Sequence, residues 1–161
     1  MTPKRKSRIG VLGPGQGAPE TLALATEVGA QIARAGAVLI CGGLGGVMEA
    51  AARGARQAGG LTVGIIPGSD PGEANDFIDV PIATGMGEAR NGMVVRSSNA
   101  VIAIAGSYGT LSEIALALKT GVPVVGLGTW NLRHPDGSQP PILTAHNPSE
   151  AVAKAVEAAG A

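Results

Sequence analysis

The stretch Ala100-Val-Ile-Ala-Ile-Ala-Gly-Ser-Tyr-Gly-Thr-Leu-Ser-Glu113 decides the fold. Its first six residues are apolar, and such a run predicts a strand that is buried in a sheet. Apolar residues then recur at helical spacing from Leu111 to Leu118, which predicts a helix. The glycines between these two elements therefore mark the point where a strand ends and a helix begins.

A glycine-rich loop at the start of a helix is suited to binding phosphate. The first turn of a helix offers unpaired N–H groups and a partial positive charge, and glycine has no Cβ to keep a ligand away from the backbone. Two further glycine-rich loops, at residues 13–17 and 42–46, follow apolar runs in the same way. Because parallel α/β sheets bind ligands at the carboxyl ends of their strands, we expect the three loops to line one phosphate or nucleotide site.

The composition indicates a globular protein and disfavours nucleic acid as a partner. The chain has 161 residues, enough for one domain with a full core, and 45% of them are hydrophobic. Aromatic residues make up only 2%, too few for stacking on single-stranded bases. Four of the 12 basic residues lie at positions 4–8, which leaves eight basic against 12 acidic residues in the rest of the chain. A mildly acidic body does not resemble a nucleic-acid surface.

The chain carries no signal for disulfides, metals, membranes or export. Cys41 is the only cysteine, so we expect no internal disulfide and a reducing compartment, the cytoplasm. No apolar run reaches about 18 residues, and no apolar segment with a cleavage site follows the basic start, so neither a membrane span nor a secretory signal is expected. His134 and His146 have no second ligand at metal-binding spacing, so no metal site is expected.

Strands and helices alternate along the chain. The predicted strands are residues 8–12, 37–41, 61–66, 77–83, 100–105 and 122–127. The predicted helices are residues 19–35, 47–58, 88–98, 147–159 and one that follows the opening loop and ends at residue 120. Residues 131–145 contain three prolines and are predicted to be irregular.

This alternation predicts βαβ units and therefore an α/β protein with a three-layer, Rossmann-like fold. In such a fold a central, mostly parallel sheet carries helices on both faces. We expect residues 1–6 to be a disordered basic tail and residues 7–161 to form a single nucleotide-binding domain.

The first glycine loop fits a relaxed dinucleotide-binding motif but lacks the partner residue of that motif. Gly13, Gly15 and Ala18 match G-x-G-x-x-A, which alone is a weak signal. An NAD site also needs an acid at the end of the second strand, where the chain reads Ile40-Cys41-Gly42. No G-x-x-x-x-G-K-S/T motif occurs either. We therefore expect neither NAD binding nor P-loop NTPase chemistry, and no bound cofactor.

Two charged residues lie near the predicted site, and each has two explanations. Glu113 follows Thr110 at the spacing of a capping box, in which each side chain accepts a hydrogen bond from a free N–H, but it is equally a candidate for contacting the ligand. Arg90 opens the helix after the fourth strand, where a cation gains nothing from the helix dipole, and this favours a ligand role over that of a solvated surface arginine. Tyr108 either stacks on a base or covers the loop, and Met48 either contacts the ligand or packs in the core.

Two of the glycine-rich stretches resemble motifs of a known family. Residues Gly42 to Met48 resemble G-G-x-x-G-x-M, and residues Gly106 to Glu113 resemble P-G-G-x-G-T-x-x-E. These are motifs of the Lonely Guy (LOG) family, whose members were long described as lysine decarboxylases. The stretch Glu88-Ala89-Arg90-Asn91 is similar to a branch of that family which includes molybdenum-cofactor carrier proteins.

The resemblance implies a specific chemistry. LOG enzymes hydrolyse the N-glycosidic bond of nucleoside 5′-monophosphates and release a base and ribose 5-phosphate. Their catalytic arginine and glutamate fall on Arg90 and Glu113, and their phosphate loop falls on residues 106–110. A fixed carboxylate would stabilise the sugar cation that develops as the base leaves. The resemblance also implies a homodimer and a nucleotide-like ligand, either of the AMP class or the molybdenum cofactor.

Two departures from the motifs leave the activity open. Asn91 replaces the lysine that follows the catalytic arginine, and Ala105-Gly106-Ser107 replaces Pro-Gly-Gly. The protein is therefore predicted to be either a nucleoside 5′-monophosphate phosphoribohydrolase or a non-catalytic carrier of a nucleotide or of the molybdenum cofactor. The predicted catalytic residues are Arg90 and Glu113. The predicted phosphate- and nucleotide-binding residues are Gly13, Gly15, Gly42, Gly43, Gly46, Met48, Gly106, Ser107, Tyr108, Gly109 and Thr110.

Overall fold

A seven-stranded parallel sheet lies at the centre of the protein in a computed structural model that describes residues 2–160. The strands are β1 (Arg8–Leu12), β2 (Val38–Cys41), β3 (Thr62–Ile66), β4 (Val80–Ala83), β5 (Ala100–Ile104), β6 (Val124–Leu127) and β7 (Ile142–Ala145). They lie in the order β4-β3-β2-β1-β5-β6-β7, and each pairing is parallel. This confirms the predicted α/β, Rossmann-like fold.

Helices cover both faces of the sheet, as predicted. They are α1 (Pro19–Arg34), α2 (Val47–Gln57), α3 (Asn91–Arg96), α4 (Tyr108–Thr120) and α5 (Pro148–Ala159). Helices α1, α2 and α5 share one buried core with the sheet, while α3 and α4 share a second core. Pro19 and Pro148 begin α1 and α5, where no N–H is needed, and left-handed Gly121 ends α4.

The strand order places the three glycine loops side by side. β1 pairs with both β2 and β5, so the chain leaves β1 towards one edge of the sheet and later returns on the other side of β1 as β5. The loops follow β1, β2 and β5, and parallel strands end at the same edge of the sheet. The carboxyl ends of β1 and β5 form a topological switch point, which is where open α/β sheets bind their ligands.

Helices α1 and α2 pack with their backbones in contact. A Cβ at Gly29 of α1 would lie 1.9 Å from the carbonyl oxygen of Ala51, and one at Gly54 of α2 would lie 1.8 Å from that of Thr26. Glycine inside a helix costs about 0.5–1 kcal/mol relative to alanine, and this close approach explains its presence at both positions. The contact fixes α2, whose N-cap Gly46 belongs to the second glycine loop.

Gly54→Ala is expected to destabilise the protein by about 3 kcal/mol, because the Thr26 carbonyl belongs to the backbone and cannot move aside alone. Urea unfolding followed by circular dichroism measures the change. Gly92→Ala is the matched control, since Gly92 also lies in a helix but its added Cβ would meet no other part of the chain within 4 Å. Equal stability of the two variants would contradict the close packing of α1 on α2.

Three elements differ from the prediction. Strand β4 starts at Val80, three residues after the predicted start at residue 77. Strand β7 pairs with β6 inside the segment predicted to be irregular. Its four residues show no clear alternation of buried and exposed side chains, so only the pairing with β6 identifies it as a strand. The helix predicted at residues 88–98 is shorter, because a 3-10 turn at Gly87–Arg90 precedes α3. The chain enters this turn through Gly85 and Gly87, both at positive φ.

The described part of the N-terminal segment has no regular structure. Residues 2–7 lie outside any helix or strand, and residues 2–6 are exposed. The disorder of residues 1–6 and the single domain at 7–161 stay predictions, and residues 1 and 161 lie outside the described part of the chain. Within that part, no helix has the length and apolar character needed to cross a membrane.

Candidate functional site

The first two glycine loops pack against each other through direct backbone contacts. The backbone N–H of Val47 donates to the carbonyl oxygen of Pro14 at 3.0 Å. Gly46 has a φ of 64°, and a Cβ there would lie 2.3 Å from the carbonyl carbon of Gly15. A side chain at Gly46 would therefore strain the backbone and force the loops apart. Gly13 packs against the side chain of Val47, whereas an added Cβ at Gly15 would meet nothing within 4 Å.

Asn75 fixes the second glycine loop, a contact that sequence reasoning missed. Its backbone N–H donates to the carbonyl oxygen of Gly43 at 2.9 Å. Its side-chain amide donates to the carbonyl oxygens of Gly43 and Leu44 at 3.2 and 2.8 Å. Gly43 has a φ of 76°, and a Cβ there would lie 2.6 Å from Ile66. These contacts fix the path of the loop that lies over Arg90.

Arg90 lies against the second glycine loop in a buried position. Only 9% of the residue is exposed, so the alternative of a solvated surface arginine is wrong. Its Nη2 donates to the carbonyl oxygen of Gly42 at 3.5 Å, and its Nη1 donates to Oδ1 of Asn91. A Cβ at Gly42 would lie 2.8 Å from Nη2 and 2.6 Å from the sulfur of Met48, so the guanidinium needs a glycine here. Burial lowers the pKa of Arg90, and the charge of Glu113 opposes that effect.

One donor nitrogen of Arg90 has no partner in the part of the chain that the structure describes. Its Nε is buried and makes no hydrogen bond within residues 2–160. Leaving a buried donor unsatisfied costs about 1–3 kcal/mol, and more for a charged group, so such a donor calls for an explanation. An acceptor oxygen, such as that of a phosphate, would satisfy the Nε of Arg90 if it reached this position.

Glu113 is a buried carboxylate and not a capping residue. The cap of α4 is Ser107, whose Oγ accepts from the N–H of Thr110 while Oγ1 of Thr110 accepts from the N–H of Ser107. The capping box predicted for Thr110 and Glu113 is therefore wrong, because the cap lies three residues earlier in the chain. Glu113 lies in the second turn of α4 and is 8% exposed.

Arg90, Glu113 and Cys41 form one buried electrostatic cluster. Burial raises the pKa of Glu113 to about 7, although the charge of Arg90 lowers it. Burial also raises the pKa of the Cys41 thiol, at the end of β2, to about 11, and both Arg90 and Glu113 act on it. Arg90 and Glu113 do not form one of the salt bridges found among the described residues, so their charges attract each other without direct contact.

Thr129 and Trp130 hold the third glycine loop from the side. Oγ1 of Thr129 donates to the carbonyl oxygen of Ala105 at 2.5 Å, and Nε1 of Trp130 donates to that of Ser107 at 3.1 Å. A Cβ at Gly106 would lie 2.5 Å from Nε1 of Trp130, so the indole needs glycine there. Ala105 has a φ of 53°, which proline cannot adopt because its ring holds φ near −65°. The loop therefore begins on a backbone path that the proline of the LOG motif would exclude.

A cleft of about 490 Å³ opens between α4 and the segment that carries Arg90. The residues that line it are Glu88, Ala89, Asn91, Gly92, Tyr108, Gly109, Ser112 and Leu116. They include the chain neighbours of Arg90 and Glu113, so the buried charged pair lies beside the cleft. Of the predicted ligand-binding residues, Tyr108 and Gly109 line this cleft, while Gly13, Gly43 and Gly46 serve the packing of the loops.

The described residues contain no group of three or more histidine, cysteine, aspartate or glutamate side chains that could hold a metal ion. His146 instead lies 3.2 Å from a carboxylate oxygen of Glu150 at the exposed start of α5. The polar side chains that line the cleft are those of Glu88, Asn91, Tyr108 and Ser112. The charges of Arg90 and Glu113 and the N–H groups at the start of α4 lie beside it.

The parallel sheet, its switch point and the paired motifs define a Rossmann-like α/β protein of the LOG type. The chain belongs to the SLOG cluster4 family, whose model matches residues 6–158. This confirms the resemblance that the two glycine motifs indicate.

Two solved structures and one further relative are similar to the chain. The molybdenum cofactor binding protein of the phototrophic bacterium Rippkaea orientalis is 40% identical, with a TM-score of 0.87, over 95% of this chain and 97% of that one. The molybdenum cofactor carrier protein MCP of Chlamydomonas reinhardtii is 38% identical, with a TM-score of 0.84, over 98% of this chain and 100% of that one. The cytokinin riboside 5′-monophosphate phosphoribohydrolase of Mycobacterium tuberculosis is 38% identical over 128 residues, covering 73% of this chain and 67% of the relative.

Proposed function

We propose that the protein binds a phosphate-bearing, nucleotide-like small molecule at the switch point of its sheet, and that the molybdenum cofactor is its cargo. The unpaired, buried Nε of Arg90 beside the glycine loops carries this proposal. An oxygen of an anionic ligand would satisfy that donor. The two molybdenum-cofactor proteins support the identity of the cargo, since they are 38% and 40% identical to the chain over nearly its whole length.

The start of α4 supports a phosphate position next to Arg90. Tyr108 and Gly109 begin this helix, and the first N–H groups of a helix have no partner within it. An added Cβ at Gly109 would meet only Oγ of Ser107, at 3.7 Å, so a ligand can approach the backbone here. Thr110 contributes indirectly, because its hydroxyl group belongs to the cap. We place the ligand phosphate at this helix start.

Hydrolysis of nucleoside 5′-monophosphates is the second candidate function, and one observation favours it. Both residues that the LOG motifs mark as catalytic, Arg90 and Glu113, are present, buried and coupled by their charges. An ionised Glu113 would stabilise a developing sugar cation, whereas the neutral form would not. Because burial raises the pKa of Glu113 to about 7, this carboxyl group changes its charge in the neutral pH range. The phosphoribohydrolase from Mycobacterium tuberculosis supports the same candidate.

Incubation with AMP separates the two candidates. We expect calorimetry to show that the protein binds AMP, and chromatography to show that AMP stays intact. We also expect protein from a host that makes the molybdenum cofactor to release a fluorescent pterin after oxidation. Release of free adenine and ribose 5-phosphate would establish the hydrolase instead. A protein that neither binds AMP nor carries a pterin would overturn the proposal.

The variant Gly109→Val tests, in the same calorimetry experiment, whether the ligand phosphate binds at the start of α4. The valine side chain would cover the N–H groups at the start of α4, so we expect AMP binding to weaken by about tenfold or more. The space around Gly109 lets the variant fold, which thermal unfolding checks. Ala115→Val, at an exposed position of the same helix, is the matched control. Unchanged affinity in folded Gly109→Val protein would show that the phosphate lies elsewhere.

We further propose that two copies associate through the sheet face that carries α3 and α4. Val80 and Ile82 of β4 are 43% and 41% exposed, and they pair in register with Val63 and Ile65, which belong to or pack against the core on that face. Met86, which follows β4, is 51% exposed. An apolar strip of this kind is typical of a subunit contact. Light scattering coupled to gel filtration tests the homodimer.

The cytoplasm is the proposed location of the protein. Cys41, the only cysteine in the chain, is a buried free thiol, which fits a reducing compartment. The proposed partner is a small molecule and not a nucleic acid or a membrane.

A further inference from the structure

We infer that Tyr108 and Trp130 form a stacking platform for the planar ring system of the ligand, a proposal that rests on the proposed ligand site. The chain has one phenylalanine, one tyrosine and one tryptophan, and two of these three aromatic residues lie together here. Their ring centroids are 6.2 Å apart and their planes differ by 28°. Aromatic pairs at this separation attract each other, so the two rings behave as one unit.

Trp130 is the positioning residue of the platform. Its Nε1 donates to the carbonyl oxygen of Ser107 at 3.1 Å, and its ring packs where a side chain at Gly106 would otherwise lie. The indole is thereby tied to the loop that begins α4. Trp130 does not line the cleft of about 490 Å³, so a ligand in the cleft would meet Tyr108 and not the indole itself.

Tyr108 is exposed to an extent that folding does not explain. It lines the cleft, and 84% of the residue is exposed. Because hydrophobic stabilisation scales with buried area, this ring contributes little to folding. Phe77, the third aromatic residue, behaves differently, since it packs against the first core and lies 6.0 Å from the guanidinium of Arg53. The Tyr108 ring is therefore free to be buried by a ligand.

The chemistry of the platform defines the class of ligand that it favours. An aromatic face binds any planar ring, because every base has a π face, and it gains nothing from a sugar phosphate alone. Gly109, the next residue, lies where we place the ligand phosphate. Together these positions favour a bicyclic heteroaromatic ring linked to a phosphate, a description that fits both purine nucleotides and pterin phosphates.

The test compares ligands with and without a ring. Calorimetry measures the binding of AMP, neopterin 3′-phosphate and ribose 5-phosphate to the parent protein, to Tyr108→Leu and to Tyr108→Phe. We expect Tyr108→Leu to bind both ring-bearing ligands about tenfold more weakly and ribose 5-phosphate as well as the parent does. Tyr108→Phe, which keeps the ring, should match the parent protein.

Trp130 provides a second readout because it is the only tryptophan. AMP should quench its fluorescence in the parent protein, and ribose 5-phosphate should not. Trp130→Leu should lower the preference for AMP over ribose 5-phosphate as Tyr108→Leu does. Trp130→Phe keeps a ring but loses the hydrogen bond to Ser107, so it should retain only part of that preference. Thermal unfolding confirms that each variant is folded before its affinities are compared.

Several results would overturn the platform. Equal losses of AMP and ribose 5-phosphate binding in Tyr108→Leu would show that Tyr108 only shapes the loop, and unchanged affinities would show that it contacts neither ligand. If Tyr108→Leu dissociates a dimer and leaves the preference for AMP unchanged, Tyr108 is a subunit contact and not a ligand contact. A parent protein that binds ribose 5-phosphate as tightly as AMP would refute the platform and leave the phosphate site standing. A parent protein that binds none of the three ligands would refute the proposed function as well.

Discussion

Glu113→Gln should stabilise the protein by about 3 kcal/mol at pH 8 and by much less at pH 5. Glu113 is 8% exposed, and burial raises its pKa to about 7 even though the charge of Arg90 acts in the opposite direction. Glutamine keeps the shape of the side chain and removes the charge. The variant therefore behaves as a permanently neutral Glu113, which is the form that the buried position favours.

The direction of this effect follows from the pKa values of the two states. The pKa of Glu113 is about 7 in the folded protein, against an ordinary value of 4.5. The folded state thus binds the proton more tightly than the unfolded state does. Stability contributed by the protonated form is complete below pH 4.5 and is lost as the pH rises through about 7. Each unit of pKa difference corresponds to about 1.4 kcal/mol, which sets the size of the loss.

Urea unfolding of both proteins from pH 5 to pH 8 measures this difference. Glu150→Gln is a control of opposite sign, because hydrogen bonds from the Lys154 side chain and the His146 backbone lower the pKa of Glu150 to about 2. That variant should lose stability at pH 8. The difference in unfolding free energy between Glu113→Gln and the parent protein should grow with pH. A constant difference would contradict the raised pKa of Glu113. If the parent protein cleaves AMP, Glu113→Gln should also lose about 100-fold in rate.

Most of the fold could be predicted because local patterns in this chain agree with its tertiary structure. Apolar runs mark strands that are covered on both faces, and the glycines that follow them mark strand ends. Strand β7 escaped prediction because it lies at the edge of the sheet and pairs only with β6. Two of its four residues are exposed, so little apolar sequence is needed to form it.

The charged residues of the site could be predicted, and the residues that support them could not. Ser107 and Thr110 have the same spacing as Thr110 and Glu113, so the sequence alone cannot choose between two capping boxes, and α4 uses the first. Asn75 lies 32 positions from Gly43, and Trp130 lies 23 positions from Ser107. No local pattern can reveal hydrogen bonds over such separations.

Arg90→Met should weaken AMP binding about 100-fold, because the ligand would lose a charged hydrogen bond in a buried place. Methionine keeps much of the length and apolar surface of the arginine side chain while it removes every donor. Nε of Arg90 has no partner among the described residues, so the variant orphans only the carbonyl oxygen of Gly42 and the amide oxygen of Asn91. Calorimetry with AMP measures the loss, and thermal unfolding confirms the fold.

The same variant should change the titration of Glu113. The charge of Arg90 lowers the pKa of Glu113, so without that charge burial acts unopposed and the pKa rises above about 7. Stability should then continue to fall at a higher pH than in the parent protein. The double variant Arg90→Met/Glu113→Gln should lose this part of the pH dependence, since no titrating carboxylate remains. Arg90→Lys keeps a charge but not the planar fork, so it should restore the titration of Glu113 without restoring AMP affinity. A pH profile of Arg90→Met that coincides with that of the parent would show that the two charges do not interact.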